Sequence, residues 1–260
     1  MKRHAAAITL LLITLLLLLP TACKGPQSRL ALGGGPTGGT FHNFATGLAQ
    51  IINEGMPEIR VTAERSGGSV DNLARVEEGK IAMGIVFASD AYLGSRGELR
   101  EGMAPTRNVR AMSRLYGATA HLVVRQSSSI RSPLDLKKNR IAIGNPGSGS
   151  ALAARRYFQS LGIWQEIVPL HVGFDMGLDE LRRGNVEAVW LLVGSPNLSV
   201  RKLAHETPIR LIDLLGAPSA QHLFETHPYY TATLIPAGSY PDQNQAVSTF
   251  EDPALLVVNA

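Results

Sequence analysis

A single cysteine, Cys23, stands in this 260-residue sequence, so no disulfide can form within the chain and its stability must come from packing. Runs of lysine or arginine are also missing. The 25 basic and 21 acidic residues leave a formal charge of +4 spread thinly, with no aromatic–basic stripe, so the sequence carries no footprint of nucleic-acid binding. Beyond the N-terminus no apolar run approaches the ~20 residues of a membrane-spanning helix. The seven histidines show no paired spacing such as H-E-x-x-H, which removes the support for metal-assisted hydrolysis. Two glycine-rich loops lack the lysine of a nucleotide P-loop. Thr40 and Phe41 follow "GGPTGG", and Ser150 and Ala151 follow "GNPGSG". Neither Ser69 nor Ser148 sits in the G-x-S-x-G of a serine nucleophile elbow.

What is present begins with an address. Lys2, Arg3 and His4 precede an apolar run from Ala5 to Leu19, and Pro20-Thr21-Ala22 leads to Cys23. This is the pattern of a secretory signal over residues 1–22, followed by a short tether over 23–28. Cys23 has two readings, a residue at the end of the signal or the lipid-attachment cysteine of a lipoprotein. The surroundings resemble a lipobox, although Pro20 stands where an aliphatic residue is usual. Lipidation at Cys23 is the reading carried forward. Loss of the signal removes Lys2 and Arg3 and lowers the formal charge to +2.

Past the tether, strands and helices alternate. The apolar stretch Arg29–Leu32 leads into "GGGPTGGT", and Phe44, Leu48, Ile51 and Ile52 give helical spacing over Phe41–Glu54. "EIRVTAE" predicts a strand, Val70–Glu78 a helix and "KIAMGIVF" a buried strand, which together make an α/β unit with a parallel sheet. The second half repeats this grammar at an offset of 111 residues, with Gly144 matching Gly33, Ser148 matching Thr37 and Gly149 matching Gly38. His121–Arg125 predicts a strand between the halves, and Ser132–Leu136 a helical turn. Two α/β lobes follow, one over residues 29–120 plus the returning segment 231–260, the other over 121–230, with a cleft between them.

The glycine loops then need an occupant. Gly33-x-Gly35-x-x-Gly38 after a strand, with Glu64 ending the next one, satisfies a dinucleotide fingerprint, and this reading stays open as an alternative. The simpler physics is that of helix N-termini, whose unpaired N–H groups and partial positive charge attract an anion, with glycine allowing close approach. Thr37, Thr40, Ser66, Ser69, Ser148 and Ser150 add hydroxyl donors. Two such loops facing across a cleft would grip a small carboxylate.

The segments "GGPTGGTFHNFATGLAQIIN", "RSGGSVDNLARVEEGKIAMGIV", "IRSPLDLKKNRIAIGNPGSGS" and "IPAGSYP" resemble the TAXI family, the substrate-binding proteins of tripartite ATP-independent periplasmic (TRAP) transporters. The resemblance runs from about Leu30 to the end. It implies a two-lobed periplasmic binding protein fold of the second type, no enzymatic activity and no cofactor. It also implies a membrane permease as partner, and a small organic acid or amino acid, such as glutamate or 2-oxoglutarate, as ligand. Carried over by position, the ligand loops are Thr37-Gly38-Gly39-Thr40-Phe41, Ser66-Gly67-Gly68-Ser69 with Asn72, Ser148-Gly149-Ser150, and Gly194-Ser195-Pro196. Phe41 departs from the family by lacking a hydroxyl, and His42 is a candidate substitute donor. An exported sensor of the same fold, serving a signalling partner, is the alternative function. Family members continue past "ALLVVNA" with helices, so a shortened first lobe is expected to leave Ala254, Leu255, Leu256, Val257 and Val258 without cover.

Overall fold

The computed structural model describes residues 28–37, 39–216 and 220–260. The first strand, β1 (Ser28–Gly33), is followed by α1 (Thr40–Gly55), β2 (Ile59–Glu64), α2 (Ser69–Glu77), β3 (Met83–Phe87) and α3 (Ala88–Arg96). Helix α1 forms because Phe41, Ala45 and Ala49 recur every four residues and bury one face. β1 pairs in parallel with β2 on one side and β3 on the other, as alternating strands and helices require.

β4 (Val109–Arg125) is far longer than the His121–Arg125 strand expected from the sequence. Its first half is largely exposed, so it shows no buried run or clean alternation. Only pairing with the distant β10 (Val247–Asn259) holds it extended, from Val109–Asn259 to Thr119–Glu251.

The second lobe repeats the pattern. A 3-10 turn over Pro133–Leu136, closed by a capping box on Ser132 and Asp135, precedes β5 (Arg140–Ala142), α4 (Gly149–Ser160) and β6 (Val168–Leu170). Then come α5 (Phe174–Arg183), β7 (Ala188–Val193), α6 (Leu198–Glu206), β8 (Ile209–Leu211), α7 (Gln221–Thr226) and β9 (Thr231–Ile235). Ten strands of the described residues form one sheet with the order β2-β1-β3-β10-β4-β7-β5-β6, with β8 paired to β4 and β9 to β10.

β4 and β10 run from one lobe into the other and connect them. Of the returning segment, Ile235, Tyr240 and Val247 pack with Val123, Leu181 and Val193 of the second lobe, whereas Ala254, Leu256 and Val257 are buried in the first. This corrects the expectation of an uncovered last strand. β10 lies inside the sheet, paired on both edges to β3 and β4. Its alternate side chains therefore pack on both faces. Ala254 and Leu256 meet the cluster of Phe41, Ala45 and Ile85, and Val257 meets that of Val70, Leu73 and Val86. Leu255 and Val258 are partly buried against the same clusters.

No helix of the described residues is long and apolar enough to cross a membrane.

Candidate functional site

The two halves aligned in the sequence do face each other. The loop after β1 opens α1, the loop after β5 opens α4, and both helix starts border a cavity of ≈ 30 Å³ between the lobes. Two further helices start at the same cavity, α2 at Gly67-Gly68-Ser69 and α5 at Gly173-Phe174. Four N-termini thus converge from both lobes, each with N–H groups that have no partner inside its helix. The N-caps explain how the chain leaves them open. Gly39, Gly68 and Gly173 cap α1, α2 and α5 without any side-chain bond. Gly68 adopts φ +101°, a left-handed turn that a side chain would strain. Only α4 has a side-chain cap, Ser148, whose hydroxyl accepts from Ala151 N–H at 3.2 Å.

The hydroxyls around the cavity share one property: their oxygens already accept from backbone. Ser69 Oγ accepts from Phe87 N–H at 2.8 Å, Ser150 Oγ from Leu192 N–H at 3.2 Å, and Thr40 Oγ1 from Gly194 N–H at 2.9 Å. A hydroxyl used in this way still has its own proton to donate. The Tyr116 hydroxyl, also at the cavity, is buried beside the Thr40 side chain. Burial pushes its pKa well above the ordinary phenol value, so it stays a donor. The site is rich in donors and poor in acceptors, which is the chemistry of an anion cradle.

Of the residues expected from the sequence, Gly39, Thr40, Phe41, Gly67, Gly68, Ser69, Ser148, Gly149 and Ser150 line this cavity. Thr37, Ser66, Asn72 and His42 do not. Thr37 is exposed. Ser66 donates to Gly34 C=O at 3.0 Å and accepts from Gly68 N–H at 3.1 Å, so it shapes the loop. Asn72 is fully buried, and its Nδ2 donates to the carbonyls of Gly33, Gly34 and Ile85 at 3.1, 2.5 and 2.8 Å. It staples the first glycine loop to β3. Gly38 and Cys23 lie outside the described residues.

Gly194, Ser195 and Pro196 border a separate hollow beside the cavity, shared with Phe44 and Leu198. A chain of bonds holds that loop: buried His121 bonds Thr119 C=O at 2.9 Å and the Tyr240 hydroxyl at 2.8 Å, and Tyr240 accepts from Asn197 N–H at 2.9 Å. Burial lowers the His121 pKa to about 4, so the ring is neutral and structural.

Sequence reasoning missed Pro36, Phe87, Tyr116, Asn145, Gly173, Phe174, Leu192 and Val193. Gly173-Phe174 carried a findable signal, a glycine directly before an amphipathic helix. The dinucleotide alternative gains nothing from the geometry. Glu64, its ribose acid, is bonded to Arg75, and a Cβ at Gly33 would lie 2.4 Å from Asn72 Oδ1, so Asn72 fills the space behind the turn.

Gly149 explains how closely the second glycine loop approaches the first lobe. A Cβ there would lie 2.4 Å from Asp90 Oδ2 and 2.6 Å from the Phe87 ring, both in the first lobe. Glycine at this position allows the lobes to touch, a role distinct from admitting a ligand to the backbone.

A family model described as the NMT1-like family matches residues 32–260. Among solved structures, the periplasmic aliphatic sulphonate binding protein SsuA from Escherichia coli superposes with a TM-score of 0.53 at 13% identity, over 89% of this chain and 61% of that one. The alkanesulfonate-binding protein SsuA from Xanthomonas axonopodis pv. citri, bound to MOPS, gives 0.51 at 18% identity over 72% and 61%. The BenM effector binding domain with its effector benzoate gives 0.53 at 11% identity over 89% and 83%. The chain therefore spans 61% of the length of either sulphonate-binding protein. At these identities the likeness shows the fold, the two-lobed periplasmic-binding-protein type with the cavity between the lobes.

Proposed function

The chain belongs to the NMT1-like family, and on that premise we propose that it is a non-enzymatic receptor outside the cytoplasm. It captures a small organic acid, in the size range of glutamate or 2-oxoglutarate, and hands it to a membrane transporter. The observation that carries this reading is the convergence of four helix N-termini, from both lobes, on one cavity between them. An anion there would complete unpaired N–H groups of both lobes together, so its binding energy favours the closed arrangement. The small cavity supports the same cycle, because an organic acid enters only when the lobes stand further apart.

The loop motifs shared with the TAXI family support a TRAP-type permease as the receiving partner. The signal-like N-terminus supports export, with Cys23 as a lipid anchor. That the BenM effector domain shares the fold keeps the sensor function in play. Co-purification from membranes separates the two, since a receptor for transport brings down a multi-span permease and a sensor brings down a signalling protein.

A thermal-shift screen of organic acids and amino acids tests the core of the proposal. A ligand at 100 times its Kd stabilises the folded chain by about 2.7 kcal/mol. A rise in melting temperature with one chemical class of anion, and none with NAD, is the expected result. A flat screen at millimolar concentration would overturn it.

A further inference from the structure

The cavity also restricts what kind of anion it accepts. Its lining in the described residues contains no Lys, Arg, His, Asp or Glu. Positive potential comes from helix ends, hydroxyl protons and the Asn145 amide, with no charged side chain, and the rest of the wall is largely apolar. Phe41, Phe87, Tyr116 and Phe174 present four aromatic rings, with Leu192 and Val193 beside them. Phe41 packs on Phe87 with ring centroids 4.7 Å apart and on Tyr116 at 6.4 Å, so these walls are fixed by mutual contact.

Resting on the reading of this cavity as the ligand site, we infer that it selects a monocarboxylate with an apolar body, and selects against dicarboxylates and zwitterionic amino acids. The carboxylate sits among the helix starts at Gly68-Ser69 and Ser148–Ser150, and the aromatic walls enclose the rest. A second carboxylate would be placed against phenyl rings with no side-chain cation to meet it. An ammonium group fares no better. The nearest buried carboxylate, Asp90, lies behind Gly149 and Phe87 and is held by Arg156 of α4, with Nη2 at 3.3 Å from its Oδ1. Burying a charge without a paired and hydrogen-bonded partner is strongly unfavourable, whereas apolar surface gains from the same burial.

Calorimetric titration of the whole protein with benzoate, 3-methylbutanoate, 2-oxoglutarate and glutamate tests this directly. At least one of the two monocarboxylates should bind about 100-fold more tightly than either 2-oxoglutarate or glutamate, the scale expected for one unpaired buried charge. A second arm uses Phe174→Lys, which places a cation at the wall. This variant should lose monocarboxylate affinity and gain 2-oxoglutarate affinity, with circular dichroism confirming its fold. Equal or tighter binding of 2-oxoglutarate or glutamate to the parent protein overturns the selectivity and leaves the receptor reading intact. Absence of binding by all four compounds overturns both.

Discussion

The lobes meet at two places built from opposite chemistry. At the cavity the contact is uncharged, made of glycines, hydroxyls and rings, and Gly149 allows it to close. Behind it lies a buried charged cluster. Arg156 of α4 reaches Asp90 and Ser89 of α3 and the Tyr230 hydroxyl, and Ser89 N–H donates at 3.1 Å to Asp252 of the connecting strand β10. Asp90 and Asp252 are fully buried, and each leaves one carboxylate oxygen unpartnered. The cavity presents donors without a charged side chain, while the cluster sets the Arg156 guanidinium against Asp90 inside the protein. The difference separates an uncharged part of the interface from a charged one.

The sharpest way to break the comparison is Arg156→Met. Removing the guanidinium leaves Asp90 buried without its cation, and stability should fall by about 3–5 kcal/mol in urea denaturation. A loss under 1 kcal/mol would show that the cluster does not bind the lobes as described. Gly149→Val acts at the other place. Its side chain would press on Asp90 and Phe87 and hold the lobes apart, so benzoate affinity should drop about 100-fold or more while circular dichroism stays native. Retained affinity would show that closure does not need this contact.

Asn72→Ala tests the stapled loop. It removes three backbone partners at once, and a loss of about 1–3 kcal/mol is expected. Benzoate affinity measured well below the melting transition should change little, because Asn72 does not line the cavity.

A subtler effect sits on Asp252. Burial raises its pKa from 3.8 to about 8, helped by Asp90 and opposed by the Ser89 bonds and Arg156. The native state therefore holds a proton that the unfolded chain releases above pH ~4, and the group's contribution to stability falls as pH rises from about 4 to about 8. The slope is at most about 1.4 kcal/mol per pH unit. Asp252→Asn should flatten that slope, as followed by melting temperature across this range. An unchanged slope would place the titration elsewhere. The smallest expected change is in shape. Small-angle scattering should give a slightly smaller radius of gyration with benzoate than without it, and no change at saturation would argue against hinge closure.

Much of this was legible in the sequence because the signals are local. Glycine runs after apolar strands marked the starts of α1 and α4, and "RSGGSVDN" marked α2, since helix starts need residues of special backbone freedom. The cavity walls were not legible. Phe87 ends a buried strand, Tyr116 lies in the polar stretch "RAMSRLYG", and Leu192 belongs to an apolar run, so nothing local distinguishes them from core residues. The family resemblance places Asn72 in a ligand loop, and nothing local in the sequence separates that role from a staple. The hydrogen bonds alone distinguish the two.

The sequence by itself determined two α/β lobes and the loops that open their helices, because periodicity and glycine content act over a few residues. Only the tertiary structure decided that β10 lies inside the sheet, that four helix starts share one cavity, and that no charged side chain among the described residues enters it. Those facts depend on which distant segments pair. Val109–Thr119 and Glu251–Asn259 carry no mark of their partnership, and once they pair, the connection between the lobes, the cleft and the burial of the last strand all follow.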